Sequence, residues 1–494
     1  MTSVLFLPPP CRYRLTVLRY VGFFLFSFFL LMWLSPDSFM MAYWSPRCDS
    51  AWFFTCGKAW LEGMTPYVDF ADSKGLLLWL IYGIGYLVSP TSYIGVFWLS
   101  VVAYTFTFAV IWRTARLFLG QREAAFVLVM MSALLFLREY HDEVRAEDFC
   151  MPWICLGIYC MTRVLLNPSG SALGKRAFWL GVSMSWCLLV KWNLFVMMGG
   201  MAIVVAIVAV QRRRVSAVAC GVVGIILPLL PFAAYLLAKG CFADMVNEYF
   251  VNTFLITDNG LGQTMWDAFV VKNSTHLPTT LKTAGQCVIL VALVVFCLRR
   301  RFSWWLLLAF IPFFLFIVLK PCSRHYTAAT IPFFVYPLCE IARLCSHLFR
   351  QMTQWKYCVL MLAFFFVGIA FNVHINRLAF MAGDPPEDFV ATEKILMRKP
   401  FCKIEYSCYD IGWGLRARAL PGCKYWALQV GASETMKRER AKALAAHKVD
   451  FYIAVPDYVR DRKWLRSCGY RKCQVTVEKS GKTERIVLPV YAKK

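Results

Sequence analysis

Only 17% of the 494 residues are charged, so the charges that interrupt apolar sequence stand out. A few have the types and spacing that could do chemistry. The stretch 47–78 carries Asp49, and then Asp69, Asp72 and Lys74 just before a new apolar run. Glu147 and Asp148, preceded by Arg145, head another apolar run, and Lys191 lies alone between two more. Arg324, His325 and Tyr326 form a further polar cluster ahead of an apolar segment. A carboxylate can take the proton of a hydroxyl nucleophile. Lys offers phosphate a compact point charge, and Arg offers a planar fork.

Each of these groups also has a plainer role. Asp49 is a favoured helix cap, and Asp69 and Asp72 suit turns. Glu147 and Asp148 suit the positive end of a helix dipole, and Lys74 can snorkel at an interface. Lys191 is the sharper case, because a cation deep in a bilayer costs about 3 kcal/mol on insertion scales. Residues 139–143, Glu-Tyr-His-Asp-Glu, are of metal-ligand types, but their crowded charges read as a solvated loop.

The elements that position these residues follow from composition. The chain is 59% hydrophobic, with a mean hydropathy of +0.56. A soluble domain is about 45–50% apolar and about 25% charged. That excess excludes an ordinary soluble enzyme, a disordered chain and a disulfide scaffold. The net charge of +24 then points to basic topology loops and anionic lipid, not to nucleic acid. The 20 cysteines show no paired C-x-x-C zinc spacing.

Twelve apolar segments lie between residues 17 and 373. Arg12, Arg14 and Arg19 place the N-terminus in the cytoplasm, and the Arg runs 212–214 and 299–301 mark cytoplasmic loops. This parity holds only if 76–112 crosses once, so the short segment 76–88 is expected to be re-entrant or interfacial. The expectation is a mainly α polytopic helix bundle of about eleven spans over 1–380, with outer loops at 37–75 and 239–280. Within the first loop, 51–61 has helical spacing and is expected to lie in the membrane interface.

From residue 384 the chain has 23 basic and 13 acidic residues and no span. Residues 381–494 are read as a small soluble extracytoplasmic α/β domain. Strands are expected at 424–430 and 451–455, with a helix over 433–447 capped by Ser433. A hairpin is expected around Ser480 and Gly481. Gly481-Lys482-Thr483 lacks the upstream glycine of a P-loop and reads as a turn. Cys402, Cys408, Cys423, Cys468 and Cys473 leave pairing unreadable.

The pattern G-x-x-P-Y-x-D-x-x-D-x-K-G over 63–75, following a first-loop aspartate and a short helix, resembles the GT-C class of membrane glycosyltransferases. Within that class it is similar to enzymes using polyprenyl-phosphate sugars, the protein O-mannosyltransferases and aminoarabinose transferases. Leu76 stands where those relatives carry proline. Arg145-Ala146-Glu147-Asp148, the lysine of Leu188–Asn193, and Arg324-His325-Tyr326 ahead of Pro332 match three further blocks in order.

The resemblance implies inverting transfer of a sugar from a polyprenyl-phosphate donor to an envelope acceptor (glycolipid, polysaccharide or protein) outside the cytoplasmic membrane. Asp49 is the implied base, with Asp148 or Glu147 as a second acid. Lys74, Asp69, Asp72, Lys191, Arg324, His325 and Tyr326 are the implied substrate and phosphate residues. Membrane lipids are expected partners. No cofactor is required, and a divalent metal is left open. A flippase of lipid-linked glycan, or a polymerase or ligase using a diphosphate donor, are the competing readings.

Overall fold

In hydrocarbon every backbone N–H and C=O must be satisfied within the chain, so long apolar runs become helices. The computed structural model describes residues 9–35, 49–136, 144–168, 171–252, 291, 293–296, 298–299, 303–319, 324–375, 387–407, 412–427, 433–454, 462–479 and 482–493. The first nine helices are α1 (Pro9–Leu34), α2 (Asp49–Leu61), α3 (Leu76–Val88), α4 (Ile94–Ala115), α5 (Gln121–Leu135), α6 (Ala146–Leu166), α7 (Leu173–Val190), α8 (Trp192–Gln211) and α9 (Val215–Ala238). A short α10 (Phe242–Met245) runs into a π-helix, Val246–Val251. Then come α11 (Ser303–Leu319), a 3-10 helix (Arg324–Phe334), α12 (Val335–Leu344), α13 (Ser346–Gln351) and α14 (Gln354–Ile375).

Among the described residues, five helices are long and apolar enough to cross a membrane: Thr16–Leu34, Ile94–Ala115, Ala146–Leu166, Trp192–Gln211 and Val215–Ala238. The chain is that of a multi-pass membrane protein. The eleven crossings expected go beyond these five. With 13 residues, α3 is about 20 Å long at about 1.5 Å per residue, short of the ~30 Å hydrocarbon thickness. Most of the apolar segment 281–298, the polar run 139–143 and most of the loop 239–280 fall outside the described residues.

At the centre, α6 packs on α4, α7 and α8, with Trp153 stacked on Trp186 at 4.5 Å between ring centroids. Small residues let α7 and α9 approach closely, as is usual between membrane helices. A Cβ on Gly181 would lie 2.1 Å from the Gly221 carbonyl oxygen.

The helix expected over 51–61 forms as α2 and is covered by protein. Residues 50–59 of α2 are all buried, between α3 and the C-terminal residues, where Trp52 meets Trp426 at 5.4 Å. Its aromatic residues Trp52, Phe53 and Phe54 are covered by these neighbours, and Lys58 is buried with them.

The C-terminal part holds a five-stranded sheet in the order β2-β1-β3-β5-β4, with β1 (Lys403–Tyr406), β2 (Leu420–Pro421), β3 (Phe451–Ile453), β4 (Tyr470–Lys479) and β5 (Lys482–Lys493). β1 pairs in parallel with β2 and β3, and β5 runs antiparallel to β3 and β4. Helices α15 (Glu387–Met397), α16 (Glu434–Ala445) and α17 (Arg462–Ser467) accompany it. Ser433 caps α16 by accepting the Met436 N–H at 3.3 Å.

The hairpin forms with Lys479 opposite Lys482. The strand expected at 424–430 does not form over its described part, since 424–427 are turn and bend. The backbone there is used elsewhere: the Lys424 carbonyl accepts the Ala71 N–H at 2.9 Å. Cys402, Cys423, Cys468 and Cys473 are free thiols, and Cys408 falls outside the described residues.

One buried ion pair sits in this part. Arg440 Nε donates to Glu405 Oε1 at 2.9 Å. Burial pushes the Glu405 carboxyl up from 4.5 to about 7 against the pull of Arg440. The folded chain therefore holds this proton more tightly than the unfolded chain does. The stabilisation is complete below pH 4.5 and is lost as pH rises through about 7. Thermal unfolding in detergent should shift to lower temperature as the pH is raised across this window. Glu405→Gln should flatten that dependence, and an unchanged profile in the variant would remove Glu405 as its source.

Candidate active site

The candidate residues sit where helices start and stop. Lys191 is the single residue between α7 and α8, extended at φ −157° and ψ 102°. Its ammonium pairs with the Glu147 carboxylate at the head of α6, and both residues are buried. The lysine that looks isolated in sequence has a counter-ion in space. Low-dielectric surroundings demand one, since an unpaired charge there carries a penalty of several kcal/mol.

Asp148 caps its own helix. Its Oδ2 accepts the Arg145 N–H at 2.7 Å, and its Oδ1 accepts the phenol of Tyr104 from α4. Arg145 Nε lies 3.6 Å from Asp49 Oδ2, so Asp49 and Asp148 are both partners of Arg145. The start of α2 is fastened to the same place. Ser50 Oγ and the Tyr82 hydroxyl each donate to the Val144 carbonyl at 2.9 Å.

The acidic loop 63–75 is held by its tyrosine. Tyr67, fully buried, has a left-handed backbone at φ 65°. Such a conformation costs a non-glycine residue about 1–3 kcal/mol and gathers at functional sites. Its hydroxyl donates to the Lys74 carbonyl at 2.8 Å, and its ring packs on Trp79 at 4.8 Å.

Lys74 Nζ lies over the Phe53 ring at 5.4 Å and 3.9 Å from Asp72 Oδ2. Asp72 is buried and accepts the Ser73 N–H at 2.6 Å. Asp69 is exposed and accepts the Thr65 N–H at 2.7 Å, a turn contact.

The loop reaches the α7–α8 break through Gly75. The Gly75 N–H donates to the Val190 carbonyl at 3.0 Å. A Cβ on residue 75 would lie 2.0 Å from the Leu189 carbonyl oxygen. Tyr249 of the π-helix donates to the Leu188 carbonyl at 2.6 Å, closing the same corner.

Asp49, Asp72, Lys74, Glu147, Asp148 and Lys191 are thus linked at one end of the bundle, with Asp69 at the rim. Arg324, His325 and Tyr326 begin the 3-10 helix, but their side chains fall outside the described residues. Among the described residues, no group of three His, Cys, Asp or Glu side chains could hold a metal ion.

Sequence reasoning missed Tyr104 and undervalued Arg145. A tyrosine inside an apolar span carries no local signal. Arg145 had one, its place three residues before Asp148.

Comparison with known proteins bears on this layout. Residues 74–237 match the family described as dolichyl-phosphate-mannose-protein mannosyltransferase. No curated protein sequence matches the chain. In three dimensions the chain is similar to ArnT from Cupriavidus metallidurans bound to undecaprenyl phosphate, with a TM-score of 0.63 at 13% identity, covering 96% of this chain and 97% of that one. The fold is that of the GT-C glycosyltransferases.

The GT-C fold also relates it to the oligosaccharyltransferase of Archaeoglobus fulgidus, with a TM-score of 0.51 at 12% identity, covering 95% of this chain and 73% of that one. The same archaeal enzyme, AglB, in complex with an inhibitory peptide and a dolichol-phosphate, matches at a TM-score of 0.52 and 10% identity over 95% and 74% of the two chains.

Two sets of substitutions test the corner. Gly75→Ala should destabilise the protein by about 1–3 kcal/mol, the usual range for overpacking, because a backbone carbonyl blocks the new methyl. Thermal unfolding in detergent reads this, with Ser73→Ala as a near-neutral control. Lys191→Met alone should lose about 3–5 kcal/mol, and Lys191→Met with Glu147→Leu should recover most of it. A double variant no more stable than the single would mean that the pair does not set the cost.

Proposed function

We propose that the protein transfers a sugar, with inversion, from a polyprenyl-phosphate donor to an envelope acceptor: a glycolipid, a polysaccharide or a protein. In this reading the reaction takes place at the outer face of the cytoplasmic membrane. The N-terminus is cytoplasmic and residues 381–494 lie outside. One observation carries it. The stretch matching the mannosyltransferase family, 74–237, contains Lys74, Arg145, Glu147, Asp148 and Lys191, and these gather with Asp49 around one corner.

The chemistry follows from the residues. Asp49 takes the proton of the acceptor hydroxyl as the oxygen attacks the anomeric carbon. The bond from that carbon to the phosphate oxygen breaks on the opposite face, which inverts the configuration. Lys74 offsets the charge that develops on the departing lipid phosphate.

Lys191 adds less, because Glu147 compensates its charge. Asp148 is occupied as the cap of α6, which leaves Asp49 as the base. Arg324, His325 and Tyr326 keep the phosphate and sugar contacts that the sequence resemblance gives them. A diphosphate-linked donor is less favoured, since the lipids bound in ArnT and in AglB are undecaprenyl phosphate and a dolichol-phosphate.

Membranes containing the protein, given radiolabelled polyprenyl-monophosphate sugar, should release lipid phosphate and label an acceptor. Asp49→Asn should lower that transfer by about 10²–10⁴-fold at equal expression, the range for a lost general base. Full activity in that variant would refute the assignment.

A further inference from the structure

The turn at Lys424, Tyr425 and Trp426 touches three separate pieces of the chain before residue 381. Trp426 packs on Trp52, 5.4 Å between centroids, one turn along α2 from Asp49. The Lys424 carbonyl accepts the Ala71 N–H at 2.9 Å, next to Asp72.

The third piece is Glu248, a buried carboxylate in the π-helix. Its Oε1 receives the Lys424 ammonium at 2.9 Å and the Tyr425 phenol at 2.7 Å. Its Oε2 accepts from Asn252 at 2.9 Å. Lys424 also lies 3.6 Å from Asp244. The neighbouring residue, Tyr249, reaches the other way, to the Leu188 carbonyl near Gly75 and Lys191. π-Helical turns are frequent at functional sites. Here one sends consecutive side chains to two different elements.

We infer that Lys424, with Glu248 as its counter-ion, is a positioning residue for the transfer reaction, an inference that rests on the proposed function. The turn fixes the helix carrying Asp49, the loop carrying Asp72 and Lys74, and the end of α7 beside Lys191 in one arrangement. Neither Lys424 nor Glu248 needs to touch substrate. Their effect is on geometry, where a misplacement of about 1 Å can lower the rate by about 10²-fold.

The test uses the full chain in detergent with polyprenyl-monophosphate sugar, reading kcat and KM separately. Lys424→Met and Glu248→Gln should each lower kcat by about 10–100-fold while KM for the donor moves by less than about threefold. The reversed pair, Lys424→Glu with Glu248→Lys, should regain at least about tenfold over Lys424→Glu alone. Tyr425→Phe, which removes one hydrogen bond, should show the same kcat-weighted loss at smaller size and covers the case in which Lys424→Met fails to fold.

Folded variants with kcat within about twofold of wild type, or a reversed pair without rescue, overturn the positioning role. A wild type that transfers nothing from this donor removes the proposed function, and the role with it. Wild-type transfer with indifferent variants removes the role alone.

Discussion

A place with no room for a methyl group organises this end of the protein. The backbone of Gly75 lies against that of Leu189, so close that any side chain would occupy the carbonyl's position. That approach brings the loop bearing Lys74 to the break bearing Lys191, two stretches more than a hundred residues apart. The rest follows from what such proximity requires. Tyr67 takes a strained backbone to hold the loop, Glu147 neutralises the lysine at the break, and Arg145 ties the head of α6 to Asp49.

The charges at this end are mostly paired with one another. Asp49 faces Arg145, Asp72 faces Lys74, and Glu147 faces Lys191. An anionic ligand therefore has to compete with carboxylates already in place, which weakens binding but favours a group carrying more charge than they do. A fold shared at 13% identity speaks for architecture, and chemistry has to be argued from such local pairs.

Much of the layout was legible in the residues. Asp49 begins its helix, Ser433 caps α16, the expected hairpin pairs Lys479 with Lys482, and Lys191 divides two apolar runs. What was hidden depends on distance along the chain. The partner of Lys191 lies 44 residues away, and no local pattern announces it. Tyr104 looks like any aromatic in an apolar span until Asp148 is placed beside it. The strand expected at Lys424 was a sound local reading overridden by tertiary contacts, as sheet preferences commonly are. Likewise the cover of α2, Trp426, comes from the far end of the sequence, where no local pattern points to it.

The one-residue link between α7 and α8 bears on how the protein is made. Two helices joined by Lys191 alone have no polar loop between them, so the ammonium stands at the tip of a tight helical hairpin. A lone ammonium among lipid tails is unfavourable. The chain order answers this, because α6 precedes the hairpin. The Glu147 carboxylate is made before Lys191, so the counter-ion already exists in the chain when the lysine is added, and in the folded protein it holds the hairpin tip to α6.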